Sequence, residues 1–179
     1  MAWSLQLKLK QMKRLILIRH AKAEILRYDI TDFQRKLKKR GERDAKLISK
    51  ILKDKKIIPS KIISSSAHRA LQTAHIFANT LDYNIEEITI KDFLYEDYTT
   101  HEFIQMLQKM ENHSQNDTIM IFGHNPSIEY LAFNLLSKFY GEVPTCCAIG
   151  IDFDVEQWKN IEARQGKLSL YEFPRKYIK

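Results

Sequence analysis

A chain of 179 residues, 44% hydrophobic and 28% charged, is long enough for one domain with a sizeable core and needs no disulfide or structural metal to hold it. Its formal charge of +7 suits an acidic partner, a phosphorylated substrate or nucleic acid without choosing among them, and no apolar run approaches the ~20 residues of a membrane span. The opening MAWSLQLKLKQ has neither the apolar stretch nor the small-residue cleavage site of a signal peptide. Residues 1–11 are therefore expected to form a loose extension, with one domain over residues 12–179 and a cytoplasmic location.

The first predicted element is a strand over residues 14–18, apolar on both faces as a covered parallel strand requires. It runs directly into Arg19 and His20. The basic run RKLKKR, residues 35–40, reads as a solvated loop or helix start rather than a nucleic-acid contact. Residues 41–56 place Ala45, Ile48 and Leu52 on one helical stripe. KIISSS is a short strand, and AHRALQTAHIFANTL a helix with Ala70, Ala74, Phe77 and Leu81 facing the core. IEEITIKDF is a further strand candidate, followed by a helix in TTHEFIQMLQKMEN capped by one of its threonines. Residues 118–122 form a buried strand, after which Asn125 reads as an N-cap and Pro126 as the first helical residue. TCCAIGIDF and GKLSLYEF close the chain as two strands. The alternation predicts an α/β domain around a mostly parallel sheet. Cys146 and Cys147 are neighbours, too close for an unstrained disulfide, and read as reduced, buried side chains.

The chemically versatile residues fall at strand ends: Arg19 and His20, Arg69 in SSSAHRA, and His124 in FGHNP. Ligands bind at the carboxyl edge of such sheets. Two arginines can grip a phosphate with their forks, and nearby helix N-termini add backbone donors. Arg69 lies in a helix's first turn, unfavourable against the dipole unless it serves another purpose. Lys22 and Glu24 border this region. Of the remaining histidines, His68, His75, His101 and His113, only His68 is placed to line a site beside Arg69.

At these residues the sequence resembles the histidine phosphatase superfamily. LILIRHAKAE is similar to its nucleophile motif, with Arg-His-Ala where many members have Arg-His-Gly. DFQRKLKKRGERDA, ISSSAHRALQTA, IMIFGHNPSIEYLA and GKLSLYEFPRKY resemble the branch of bacterial phosphohistidine phosphatases called SixA. The resemblance implies a three-layer α/β/α fold of the phosphoglycerate-mutase type. It implies that His20 is the nucleophile, that Arg19 and Arg69 bind phosphoryl oxygens, and that His124 donates a further hydrogen bond. Lys22 is a candidate substrate contact, and Glu96 or Asp97 a candidate general acid, although the SixA branch manages without one. The implied activity needs no metal or other cofactor. Its substrate would be a phosphorylated protein, or a small phosphorylated molecule, met by a monomer with no nucleic-acid or membrane partner.

Two other phosphatase chemistries have weaker signatures. Asp152 and Asp154 match an Asp-x-Asp pattern, but too little chain follows to supply that family's remaining motifs. Neither cysteine is followed by an arginine at the short spacing a cysteine phosphatase needs. A phosphate-binding module without hydrolysis would need the arginines but not both His20 and His124, and a mutase would need insertions absent from this chain.

Overall fold

The computed structural model describes residues 12–113 and 117–178, and the expected extension over residues 1–11 lies outside them. The elements run β1 (Lys13–Arg19), α1 (Lys39–Asp54), β2 (Lys61–Ser64), α2 (His68–Thr80), β3 (Thr89–Ile90), α3 (Thr100–Gln108), β4 (Thr118–Gly123), α4 (Ser127–Leu135), β5 (Ala148–Phe153) and β6 (Lys167–Glu172). They form one sheet in the order β3-β2-β4-β1-β5-β6. The first four of these neighbours are parallel, while β5 runs antiparallel to β1 and β6 antiparallel to β5.

Alternation along β1 divides the core into two layers. Leu15 and Leu17 pack with Phe103 and Leu107 of α3 and Leu131 and Leu135 of α4. Ile16 and Ile18 pack with Ala45, Ile48 and Leu52 of α1 and Ala74 and Phe77 of α2. The helical stripes anticipated from the sequence are the buried faces, and burying each Leu, Ile or Phe contributes roughly 1.5–3 kcal/mol. The result is the expected three-layer α/β/α architecture. Cys146 and Cys147 are unpaired and fully buried where the chain enters β5.

Two local expectations need correction, and a third is made definite. The strand anticipated in IEEITIKDF shrinks to Thr89–Ile90, flanked by single 3₁₀ turns at Ile85–Glu87 and Asp92–Leu94. The Asn84 side chain accepts from the Glu86 amide and starts the first of these turns, and β2 offers β3 only two partner positions. Asn125 does not cap α4: Pro126 occupies the N-cap position, and the Asn125 amide donates instead to the Val143 carbonyl at 3.2 Å. The threonine that caps α3 is Thr99, in a reciprocal capping box with Glu102.

The Asp-x-Asp reading also falls. Asp152 pairs across the sheet with Arg14, its carboxylate accepting from Nε and Nη2 at 2.6 and 2.7 Å. It sits at the amino end of β1, opposite the edge where the other candidates gather.

Candidate active site

Strand register brings the candidates together. Arg19 at the end of β1 lies beside Gly123 at the end of β4, the His20 amide donates to the Gly123 carbonyl, and the Ser65 amide donates to the Phe122 carbonyl. Three consecutive strand ends thereby set His20, the start of α2 and His124 side by side. The cavity they enclose is about 380 Å³ and is lined by Arg19, His20, Lys22, Ala23, Asp32, Arg35, Arg69, His124, Asn125 and Thr145. Neither α2 nor α4 has a side-chain cap, but first-turn amides of both are bound by backbone: that of His68 donates to the Phe33 carbonyl and that of Ile128 to the His124 carbonyl.

His20 is 8% exposed. Its Nδ1 lies 2.7 Å from the Ala21 carbonyl, which can only accept, so Nδ1 carries the hydrogen and Nε2 keeps its lone pair. Arg69 Nε donates to that Nε2 at 3.3 Å. Burial, and then the cations Arg69, Arg19 and Arg35, push the imidazole down to about 4 against the opposing pull of the Ala21 bond. The ring is neutral at neutral pH.

His124 lies 5.2 Å from His20, ring to ring. Its Nε2 is 2.8 Å from Ser65 Oγ, while its Nδ1 is buried and has no protein partner. Burial first, then Arg69 and His20, push this imidazole down to about 3. Arg19 donates from Nη1 to the Val143 carbonyl at 2.7 Å, and its Nε is likewise buried without a partner. Buried donors that the protein leaves unmatched call for an explanation, and a ligand is one.

Arg69 is almost wholly buried. Its Nη1 donates to the Asp32 backbone carbonyl at 2.6 Å and its Nη2 to Asp32 Oδ2 at 2.8 Å. The same carboxylate accepts from Arg35 Nη1 at 2.6 Å and from the Tyr95 hydroxyl at 3.3 Å. Burial would raise the Asp32 carboxyl, but hydrogen bonds and charge from Arg35 and Arg69 outweigh it and hold it ionised. Tyr95 in turn sets its ring edge-on to His124 at 5.8 Å.

Arg19, His20, Lys22, Arg69 and His124 thus converge as the sequence suggested. Glu96 and Asp97 are exposed and do not line the cavity. His68 is also outside it, packed against Phe33 at 5.5 Å. Asp32, Arg35, Tyr95 and Thr145 were not anticipated. Asp32 and Arg35 sit in a long aperiodic loop, and Arg35 opens the basic run that read as solvated; the one available signal was their closeness in sequence to the nucleophile motif.

The arrangement defines a basic pocket with a neutral imidazole at its floor, in a three-layer α/β protein. The family model for the histidine phosphatase superfamily, branch 1, matches residues 15–104, and an uncharacterised chloroplastic protein of Arabidopsis thaliana is 30% identical over 159 residues, 86% of this chain and 72% of the relative. The chain belongs to the histidine phosphatase superfamily, and phosphatase activity is what that membership supports. The fold matches the protein histidine phosphatase SixA complexed with tungstate at a TM-score of 0.77, with 18% identity over 91% of this chain and 98% of that one. A protein from Agrobacterium tumefaciens assigned as a phosphohistidine phosphatase SixA gives 0.74, with 22% identity over 90% and 97%. The mycobacterial glucosyl-3-phosphoglycerate phosphatase gives 0.63, with 13% identity over 89% and 98%.

Proposed function

We propose that this chain is a metal-independent phosphatase that works through a phosphohistidine intermediate on His20 and takes phosphohistidine on proteins as substrate. The observation that carries the reading is the orientation of His20: Nδ1 bound to the Ala21 carbonyl and Nε2 unprotonated beside Arg69. In the first step the Nε2 lone pair attacks phosphorus, the bond from phosphorus to the substrate's imidazole nitrogen breaks, and that nitrogen takes a proton from solvent. In the second, water attacks phosphorus, the bond to Nε2 breaks and inorganic phosphate leaves.

Transfer of this kind depends chiefly on positioning and charge. Arg19, Lys22, Arg35 and Arg69 against the Asp32 carboxylate leave three net positive charges around a phosphoryl dianion. Arg19 Nε and His124 Nδ1, the unmatched buried nitrogens, are the donors for its oxygens. Among the described residues no three His, Cys, Asp or Glu side chains are grouped to hold a metal ion, and the guanidiniums supply the charge a metal otherwise would.

The position of Glu96 outside the cavity lining suits a leaving group that departs with little acid assistance, as an imidazole does and an alkoxide does not. A small phosphate ester is the alternative substrate, and it requires Glu96 to swing in as general acid.

The test is an acid-labile, base-stable phosphoryl label on His20 after mixing with a phosphohistidine donor in EDTA, followed by release of phosphate. Glu96→Gln should leave that hydrolysis nearly unchanged. Activity lost in EDTA and restored by magnesium removes the metal-independent reading. A loss of ~10² or more on phosphohistidine in Glu96→Gln moves the substrate to small esters.

A further inference from the structure

We propose that the loop tip formed by Ile25, Leu26 and Tyr28 is the surface on which the protein substrate docks, and that the partner offers there an apolar patch set in acidic surroundings beside its phosphohistidine. This rests on the phosphoprotein reading above.

The tip is exposed and apolar at once: Ile25 is 71% exposed, Leu26 57% and Tyr28 fully so. Single apolar residues on a surface are ordinary, but three within four residues form a patch, and a patch rimmed by polar groups marks an interaction site. Among the described residues nothing covers it.

Its position is fixed by the pocket. On one side Ala23 lines the cavity and bridges Leu37 in antiparallel fashion, and the Glu24 amide and carbonyl are held by the Lys36 carbonyl and Arg35 Nε. On the other side Asp32 is clamped to Arg69 and Arg35. The residues between these anchors cannot drift far from the entrance.

The pocket offers little apolar surface with which to recognise what carries the phosphoryl group. It is about 380 Å³ and lined almost entirely by polar side chains, with Ala23 the one apolar member. Whatever carries the phosphoryl group must be read at the rim, and the tip is the apolar part of that rim. The cavity is also basic, with Arg19, Lys22, Arg35 and Arg69 against Asp32 alone in its lining. Charge complementarity asks for an acidic partner and speeds its approach. A tyrosine and two aliphatic side chains are suitable anchors for the apolar centre of such a contact.

The experiment compares the full chain with a triple variant, Ile25→Ser, Leu26→Ser and Tyr28→Ser, on two substrates. One is a phosphorelay domain phosphorylated on its surface histidine; the other is phosphoramidate, which carries the phosphorus–nitrogen bond without a protein. The triple variant should lose about ten- to a hundredfold in kcat/KM on the phosphoprotein, mostly in KM and steeply dependent on salt, while phosphoramidate turnover stays within about twofold. Equal activity of both chains on the phosphoprotein overturns the docking role alone. Wild-type chain that hydrolyses phosphoramidate but leaves the phosphoprotein intact overturns the protein-substrate reading. A wild-type dimer in sedimentation that the triple variant dissolves shows that the tip covers a second copy, and also overturns the proposal.

Discussion

The two ends of β1 carry the same kinds of side chain to opposite purposes. At its start, fully buried Lys13 donates to Asp117 at 2.9 Å, and Arg14 makes a two-pronged pair with Asp152. At its end, Arg19 keeps an unmatched buried Nε and His20 keeps an unprotonated Nε2. Cations matched by carboxylates stabilise the sheet. Cations and imidazoles matched only in part store binding capacity, because a desolvated donor gains most when its partner arrives.

The strongest test of the contrast is at the carboxyl end. His20→Ala should lower turnover by at least ~10³-fold, since the proposed phosphoryl intermediate forms on its Nε2. Its circular dichroism and melting should stay close to wild type. Residual activity within tenfold would remove His20 from the nucleophile's role.

Breaking the amino end should do the reverse. Lys13→Met leaves the buried Asp117 carboxylate without its cation, at a cost of about 3–5 kcal/mol, or a fall in Tm on the order of 10 °C for a domain of this size. The kcat of the folded fraction should not change. An unaltered Tm would show that the pair is not structural.

Arg69→Ala removes one charge-assisted grip on the phosphoryl group, worth roughly 1.5–3 kcal/mol, so kcat/KM should fall about a hundredfold at most and inhibition by free phosphate should weaken. An unchanged inhibition constant would place Arg69 outside the binding set. Stability should also depend on pH in a way set by this end alone. The native values of about 4 for His20 and about 3 for His124 lie below the ~6.5 of an unfolded histidine. Above about pH 6.5 both states are neutral and the full stability is present. As the pH falls below that, the unfolded chain takes up protons that the native chain refuses, and stability is lost until the native values are passed. The loss should reach about 4 kcal/mol by pH 5, about 2 from each histidine, seen as a falling Tm, and be shallower in His124→Asn. Equal slopes in the two proteins would contradict the low value at His124.

Asp32→Asn should have the smallest effect, roughly tenfold, the worth of one charged hydrogen bond. It disturbs the alignment of Arg69 and Tyr95 but adds positive charge, so kcat should drop while KM does not rise. A rise in KM with kcat unchanged would mean that Asp32 touches substrate rather than positions its neighbours.

Why some of this site could be read from the sequence and some could not follows from how each residue is held. Arg19, His20, Arg69 and His124 stand where a strand's apolar run stops or a helix starts, and that break is visible in the pattern. Asp32 and Arg35 lie on a loop between Ala23 and Leu37 whose course depends on one isolated bridge and on side-chain bonds, which leave no periodic trace. The Val143 carbonyl that holds Arg19 and Asn125 is a backbone atom, and no residue type announces it. That same carbonyl explains the failed N-cap at Asn125, whose amide was drawn to a tertiary partner. The sheet order was legible only as mostly parallel; the reversal at β5 comes from the turn at Cys146, where φ is 59°.

That turn has a consequence for chemistry the protein does not perform. Cys146 and Cys147 are sealed in the core, with burial pushing the thiol of Cys146 far up and that of Cys147 to about 12, so neither offers a thiolate to peroxide or to an alkylating reagent while the chain is folded. If the proposed imidazole nucleophile is the working one, the enzyme should be indifferent to oxidants that silence enzymes built on a reactive thiolate. The pair becomes reactive only when the core opens, which makes pulsed alkylation a direct clock for the rate at which the native chain unfolds.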